Sequence, residues 1–229
     1  VIIPDGFTEV SDKAFYDCRS LESVIIPDSV TTIGNQALYN CINLKTIKMS
    51  NSVQSIGEEA FTYSAIESIT LPEGLTTINS YAFQYCSILK RFTLPSTVTT
   101  LGSYSFQYCY DLTSVTIPTG VDTINSYLFR NCTSLNTVVI SGPVTTINDY
   151  AFYGCSNLTD VVIGDGVTQI GNWAFSGCSS LLNFSFGNSV ETIGAEAFSD
   201  CTSMVKLVSS CNVPPVCGDQ ALADIDVWN

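Results

Sequence analysis

Apolar residues recur along this chain with a period of 23 residues, and nearly the whole chain belongs to the repeat. Units begin at Leu21, Leu44, Ile66, Leu89, Leu112, Leu135, Leu158 and Leu181. Seven of these eight units have 23 residues, and the unit from Leu44 has 22. A repeat of this length indicates a stacked architecture, because one unit cannot bury its own apolar face.

Within a unit, counted from its leading Leu, apolar residues occupy positions 1, 4, 6, 10, 13 and 18, with Cys usually at 21. The alternation at positions 4 and 6 predicts a strand. Pro often follows at position 7, where it would end a ladder, as Pro27, Pro72, Pro95 and Pro118 do. Gly or Asn at position 14 predicts a turn with positive φ. The next stretch, such as residues 148–152, suits a short helical turn.

These elements predict an α/β solenoid in which each unit adds one parallel strand and one short helical turn. Residues 1–20 supply the last 20 positions of a preceding unit, and a degenerate unit begins at Met204. We therefore predict a repeat domain over 1–203, with a partial first unit and eight full units over 21–203. Residues 204–229 are predicted to form a degenerate terminal capping unit. The abrupt start at Val1 suggests a mature or trimmed piece of a longer protein.

The pattern L-x-x-V-x-I-P-x-x-V-x-x-I-G-x-x-A-F-x-x-C resembles the Treponema pallidum-type leucine-rich repeat of BspA-like bacterial surface proteins. The resemblance covers residues 1–203, and the Pro-Pro tail at 213–216 looks like the family's terminal unit. It implies a right-handed leucine-rich repeat superhelix. It also implies export from a bacterium, a cell-surface or extracellular location, and adhesion to host matrix proteins, other microbes or epithelial surfaces.

Composition narrows the possible functions further. Acidic residues outnumber basic ones 21 to 8, for a net charge of −13. This charge argues against nucleic acid as a partner and against docking on anionic membranes. The chain has no histidine, which excludes His-containing catalytic triads and His-ligated metals. No segment is apolar and long enough for a membrane span. We therefore expect no enzyme activity, no cofactor, no metal and no direct membrane insertion.

Position 16 of the repeat suggests one binding surface, which we name the aromatic column. Polar residues occupy this position at both ends of the chain, which suggests that it is accessible to solvent. Five consecutive units carry aromatic rings there: Tyr81, Tyr104, Tyr127, Tyr150 and Trp173. Tyr85 and Tyr108, at position 20, would widen the surface. Such a stripe could bind a protein or stack on sugar rings. Alternatively, the rings pack on one another and shield the turns, without a partner.

The outward positions of the predicted strand suggest a second surface, the sheet-face basic patch. Four of the eight basic residues lie there: Lys45, Lys48, Lys90 and Arg91. Such a patch could attract an acidic protein segment or an acidic glycan. Alternatively, Glu and Lys simply alternate at position 2 along adjacent strands, which is ordinary cross-strand pairing. That alternative does not account for Lys48 and Arg91.

The ten cysteines favour a packing role over disulfides. Eight of them fall at position 21, so that their Cβ vectors run parallel, which is poor disulfide geometry. We interpret this column as buried thiols that behave as small apolar residues. Cys211 and Cys217 break the register and are the one pair for which a disulfide stays open.

The leading functional hypothesis is a non-catalytic binding module of a bacterial cell-surface protein. Its expected partner is a host matrix protein, a surface glycoprotein or another microbial surface, and the chain is expected to be a monomer or to self-associate weakly. One alternative is a structural spacer or self-association scaffold that uses the aromatic column. The other is a carboxylate-dependent glycan-active enzyme, which lacks support because Asp160 has no acidic neighbour at equivalent positions.

Overall fold

Each coil of the chain carries two short strands, one within positions 3–6 and one at positions 12 and 13 of the repeat. The computed structural model describes residues 1–140, 142–223 and 225, and it contains strands β1 to β19 in chain order over that part of the chain. The second strand of each coil is a correction, because the sequence pattern predicted one strand per unit. Its alternation is only two residues long, too short to be recognised as a period.

The first column of strands contains the predicted apolar alternation. It consists of β2 (Ser23–Ile25), β4 (Thr46–Lys48), β6 (Ser68–Ile69), β8 (Arg91–Phe92), β10 (Ser114–Ile117), β12 (Thr137–Ile140), β14 (Asp160–Val162), β16 (Asn183–Phe186) and β18 (Lys206–Ser209). The second column consists of β1 (Glu9–Val10), β3 (Thr32–Ile33), β5 (Ser55–Ile56), β7 (Thr77–Ile78), β9 (Thr100–Leu101), β11 (Thr123–Ile124), β13 (Thr146–Ile147), β15 (Gln169–Ile170), β17 (Thr192–Ile193) and β19 (Val216–Cys217).

Every strand pairs in parallel with the equivalent strand of at least one adjacent coil, and the pairing is interrupted between β4 and β6, β8 and β10, and β9 and β11. The first column contains the even-numbered strands and divides into three sheets, β2–β4, β6–β8 and β10–β12–β14–β16–β18. The second column contains the odd-numbered strands and divides into two sheets, β1–β3–β5–β7–β9 and β11–β13–β15–β17–β19. Val138, for example, lies opposite Val115 and Val161. The coils therefore stack as a parallel β-solenoid of about nine turns, and the sheet formed by β10, β12, β14, β16 and β18 is its longest continuous first-column face.

The stretch predicted as a helical turn is instead a series of tight turns, and the described residues contain no α-helix. The N–H groups of positions 16, 18 and 20 donate to carbonyls of the next coil, as Phe129 does to Ala151 at 2.8 Å. Those of positions 17, 19 and 21 donate three residues back within their own coil, as Arg130 does to Tyr127 at 3.2 Å. Because alternate N–H groups bond to another coil, the four-residue ladder of an α-helix cannot form.

Positive φ angles occur at positions 16 and 20, and not at position 14 as the sequence predicted. Tyr127 has φ 61° and Asn131 has φ 58°, and the equivalent residues of the other coils behave alike. At these left-handed residues the backbone changes direction, so that successive N–H groups hydrogen-bond alternately to the next coil and within their own coil. Position 14 favours glycine for a different reason, the close approach of the preceding coil. A Cβ on Gly171 would lie 2.5 Å from the backbone nitrogen of Asp149, which is too close for a normal contact.

Two of the three coils that carry Asn at position 14 use its side chain to hydrogen-bond the preceding coil. Asn125 donates through Nδ2 to the carbonyl of Leu101 at 2.7 Å, and Asn79 donates to Ile56 at 3.0 Å. Gly and Asn therefore share this position for two different reasons, close backbone approach and a side-chain hydrogen bond. The sequence showed only the shared preference.

One continuous apolar core runs along the axis of the solenoid. At its centre the position-18 phenylalanines form a ladder of parallel rings. Phe106, Phe129 and Phe152 are fully buried, and their centroids are 5.4 and 5.5 Å apart. The predicted degenerate unit continues the stack, because β18 pairs with β16 and β19 pairs with β17. The last part of the predicted cap, residues 224 and 226–229, lies outside the described residues.

The left-handed conformation at position 20 gives a direct stability prediction. Gly154 has φ 71°, and a Cβ there would contact the Asn131 carboxamide oxygen. We expect Gly154→Val to lower the free energy of unfolding by about 2–3 kcal/mol, because a β-branched residue is strongly disfavoured at positive φ. Gly154→Asn should cost much less, since Asn131 occupies the same position at positive φ in the preceding coil. Urea unfolding of the two variants compares them, and equal losses would contradict the prediction.

Candidate functional site

The structure brings the five rings of the aromatic column together in one continuous stack. Successive rings are parallel within 11°, with centroid separations of 4.6, 4.4, 4.7 and 5.1 Å along Tyr81, Tyr104, Tyr127, Tyr150 and Trp173. All five side chains are half-buried. The Arg130 guanidinium lies 5.6 Å from the Tyr127 ring centre and contributes a cation–π contact.

This stack determines what the column can present to a partner. Each inner ring uses both faces on its neighbours, so ring edges and hydroxyls face outward. Sugars stack on ring faces, and along the column only the two terminal rings have a face without an aromatic neighbour. Partial burial, and then the neighbouring Tyr127, raise the pKa of Tyr104, so its hydroxyl is neutral at physiological pH. The arrangement favours mutual packing of the rings over glycan stacking along the column.

Tyr85 and Tyr108 stack in a column of their own. They stack at 4.4 Å, and Tyr63 stacks on Tyr85 at 4.8 Å. Toward the N-terminus the column continues through Tyr39, whose ring meets Tyr63 edge-on, and Tyr16. Burial, followed by the neighbouring tyrosines, raises the pKa of Tyr39.

The residues of the sheet-face basic patch are all exposed, yet they form two pairs and not one cluster. Lys45 and Lys48 belong to the coil of β4, whereas Lys90 and Arg91 lie two coils further on, beyond β6. Stacked strands are about 4.8 Å apart, which separates the pairs by about 10 Å.

The charges of the basic patch are partly neutralised. The ammonium of Lys90 lies 3.7 Å from Glu67 and 3.8 Å from Asp111, so the Glu–Lys alternation predicted at position 2 is present there. Lys48 and Arg91 form no ion pair with any residue that the structure describes. Lys48 stands between two hollows of about 520 and 260 Å³ on the same face.

An apolar patch on the sheet of β10 to β18 was missed by the sequence reasoning. Val139, Val162, Leu182 and Val205 all point outward, and Val162 is 66% exposed. A hollow of about 370 Å³ lies between Val162 and Val208, with Asp160 and Lys206 also lining it. The signal was present in the sequence, because position 5 changes from Thr in three successive units to Val139 and Val162.

Seven of the eight cysteines of the column are buried, as predicted, whereas Cys18 in the first, partial coil is exposed. The Sγ of each buried cysteine donates to the position-18 carbonyl of the preceding coil, as Cys132 does to Phe106 at 3.1 Å. Ser64 takes the same place in the short unit and donates to Leu38 at 3.4 Å. Burial raises the pKa of Cys86 and of Cys155 to about 12, so both stay protonated and unreactive at neutral pH.

Cys211 and Cys217 are both free thiols, and Cys211 donates to the carbonyl of Gly187 at 3.2 Å. Among the described residues no group of three or more Cys, Asp or Glu side chains is placed to hold a metal ion. A search of the same residues found no helix with the length and apolar character needed to cross a bilayer.

Parallel coils of about 23 residues, an axial core and repeat-determined surfaces define a leucine-rich repeat solenoid, a protein-binding scaffold. The chain belongs to the BspA-type leucine-rich repeat family, whose model, described as a BspA type leucine rich repeat region, matches residues 1–113 and 99–221. No curated protein sequence matches the chain.

Solved structures agree with this assignment. A leucine-rich repeat protein of T. pallidum is 29% identical, with a TM-score of 0.60 over 79% of this chain and 77% of that one. The pneumococcal vaccine antigen PcpA is 20% identical, with a TM-score of 0.58 over 93% of this chain and 68% of that one. A Eubacterium ventriosum leucine-rich repeat protein is 20% identical, with a TM-score of 0.59 over 100% and 83%. The last two show likeness of fold alone.

Proposed function

We propose that this chain is a non-catalytic adhesive module, displayed outside a bacterial cell, that binds a protein of a host or of another microbe. The family supports this location, since BspA-type repeats are associated with surface proteins. PcpA, which shares the fold, is described as a vaccine antigen.

The observation that carries the proposal is the exposed apolar patch on the sheet of β10 to β18. Val139, Val162 and Val205 are 41, 66 and 62% exposed, although the core positions of the same strands are filled. Val139 and Val162 lie directly opposite each other, whereas Val205 lies two coils beyond Val162 and three positions earlier in its coil. Exposed apolar side chains concentrated on one face and flanked by polar groups are typical of protein interfaces. Asp160 and Lys206 supply such polar groups beside the hollow. The sheet face therefore suits a protein partner better than the self-packed aromatic column does.

A binding screen with three variants tests the proposal. The purified chain is measured by surface plasmon resonance against immobilised matrix proteins and a glycan panel. A sheet-face variant carries Val139→Ser, Val162→Ser and Val205→Ser, and a basic-patch variant carries Lys48→Ser, Lys90→Ser and Arg91→Ser. An aromatic variant changes Tyr104, Tyr127, Tyr150 and Trp173 to Ser.

We expect saturable binding to at least one protein, weakened at least tenfold in the sheet-face variant while its melting temperature is unchanged. Additional weakening in the basic-patch variant would extend the surface to Lys48 and Arg91. Absence of binding by every form would favour a spacer. Binding lost only in a folded aromatic variant would assign the function to the aromatic column and overturn the choice of face.

A further inference from the structure

The one short unit of the solenoid coincides with a groove in its surface. The unit from Leu44 ends Ser64-Ala65 before Ile66, whereas the other units have two residues between position 21 and the next leading residue. At this corner lies a groove of about 410 Å³, which we name the short-repeat groove. Its lining includes Asn40, Ile42, Tyr63, Ser64, Ile88 and Tyr110.

The surface polarity of the repeat changes at the same place. Elsewhere, positions 22 and 23 hold polar residues: Arg19, Ser20, Thr133, Ser134, Ser156, Asn157, Ser179, Ser180, Thr202 and Ser203. Around the short unit they include Ile42, Ala65, Ile88 and Tyr110 instead. Ile42, Tyr63, Ile88 and Tyr110 are 46, 40, 40 and 38% exposed. Core packing does not require apolar residues at positions 22 and 23, because the other coils have polar residues there.

We propose that the short-repeat groove binds a basic segment of a partner protein by taking up one of its apolar side chains. The aliphatic walls formed by Ile42 and Ile88 suit a leucine or phenylalanine side chain. Two polar side chains of the lining already form hydrogen bonds within the chain: Asn40 donates to the Asp17 carboxylate at 2.5 Å, and Ser64 donates to the Leu38 carbonyl at 3.4 Å.

The charge around the groove specifies the flanking residues of the partner. Three cations lie at this corner, and two of them are paired within the chain: Arg19 lies 2.8 Å from Asp17, and Lys90 lies between Glu67 and Asp111. Lys45 forms no ion pair with a described residue, and Glu22 occupies the equivalent position of the preceding coil. Four acids and three bases therefore leave one excess negative charge around the groove. The whole chain carries −13, so electrostatic attraction favours a partner segment with Lys or Arg beside its apolar anchor.

A random dodecapeptide phage library, panned on the immobilised chain, tests the proposal without assuming a partner. Bound phage are counter-selected on an Ile42→Ser, Ile88→Ser variant, and enriched peptides are synthesised. Titrations follow the isoleucine methyl signals by NMR. The matched control is Val162→Ser, an equivalent change on the sheet face.

We expect enriched peptides that combine Leu or Phe with Lys or Arg, shift the Ile42 and Ile88 methyl signals, and bind the groove variant at least tenfold more weakly. The Val162→Ser control should bind them normally, so that this site succeeds or fails independently of the sheet face. Peptides that bind both folded forms equally, peptides without basic residues, or an absence of enrichment would each overturn the proposal. Methyl shifts caused only by glycan fragments would do so as well.

Discussion

Between pH 8 and pH 10, the free energy of unfolding of this solenoid should fall by several kcal/mol. Seven cysteines are buried, and an ordinary thiol has a pKa of 9.0, whereas burial holds the pKa of Cys86 and Cys155 at about 12. Above pH 9 the unfolded chain loses thiol protons that the folded chain keeps. Stability is therefore fully present below pH 9 and is lost as the pH rises toward 12, by about 1.4 kcal/mol per pH unit for each thiol.

Urea unfolding at closely spaced pH values, in the presence of a reductant, measures this slope. Cys86→Ser is the matched control, because a serine hydroxyl does not titrate and Ser64 already occupies the equivalent position. Its pH slope should be smaller by about 1.4 kcal/mol per unit. A free energy of unfolding that stays constant from pH 8 to pH 10 would show that the thiols are accessible to water in the folded state.

Removal of one ring from the phenylalanine ladder should be the most damaging single substitution in the core. Phe129 is fully buried between Phe106 and Phe152, with centroids 5.4 and 5.5 Å away. Phe129→Ala leaves a cavity that the rigidly spaced coils cannot close, since inter-coil hydrogen bonds fix their separation. We expect a loss of about 3–5 kcal/mol in the free energy of unfolding, measured in urea.

Phe129→Leu provides the comparison, because Leu38 occupies the same position in an intact coil. It should cost less than half as much as the alanine variant, since most of the volume is retained. A loss below about 2 kcal/mol for Phe129→Ala would mean that the coils relax into the space and that the ladder is not rigid.

The repeat pattern was sufficient to predict the core, because a coil that recurs every 23 residues places equivalent side chains in columns. Val138 and Ile140 were predicted to face inward from a strand, and both are buried in β12. The buried cysteine column follows from the same reasoning. The helical turn was wrong, because a pattern of residue types does not show whether an N–H group donates within its coil or to the next one.

The candidate surfaces were harder to predict, for a related reason. Tyr127 and Val162 both occupy outward positions of the repeat, but only their neighbours decide whether they are available. Tyr127 has rings on both faces and is half-buried, whereas Val162 has no such cover and is 66% exposed. The short-repeat groove depends on one missing residue, whose effect appears only when four coils are stacked.

The sequence by itself determined the family, the period and the list of core residues, since these depend on spacing that each unit repeats. It also determined the acidic charge and the absence of histidine chemistry. Only the tertiary structure decided the second strand of each coil, the left-handed residues at positions 16 and 20, and the exposure of each outward side chain. These features arise from contacts between coils, where the strand partner of a residue lies 22 to 24 positions away.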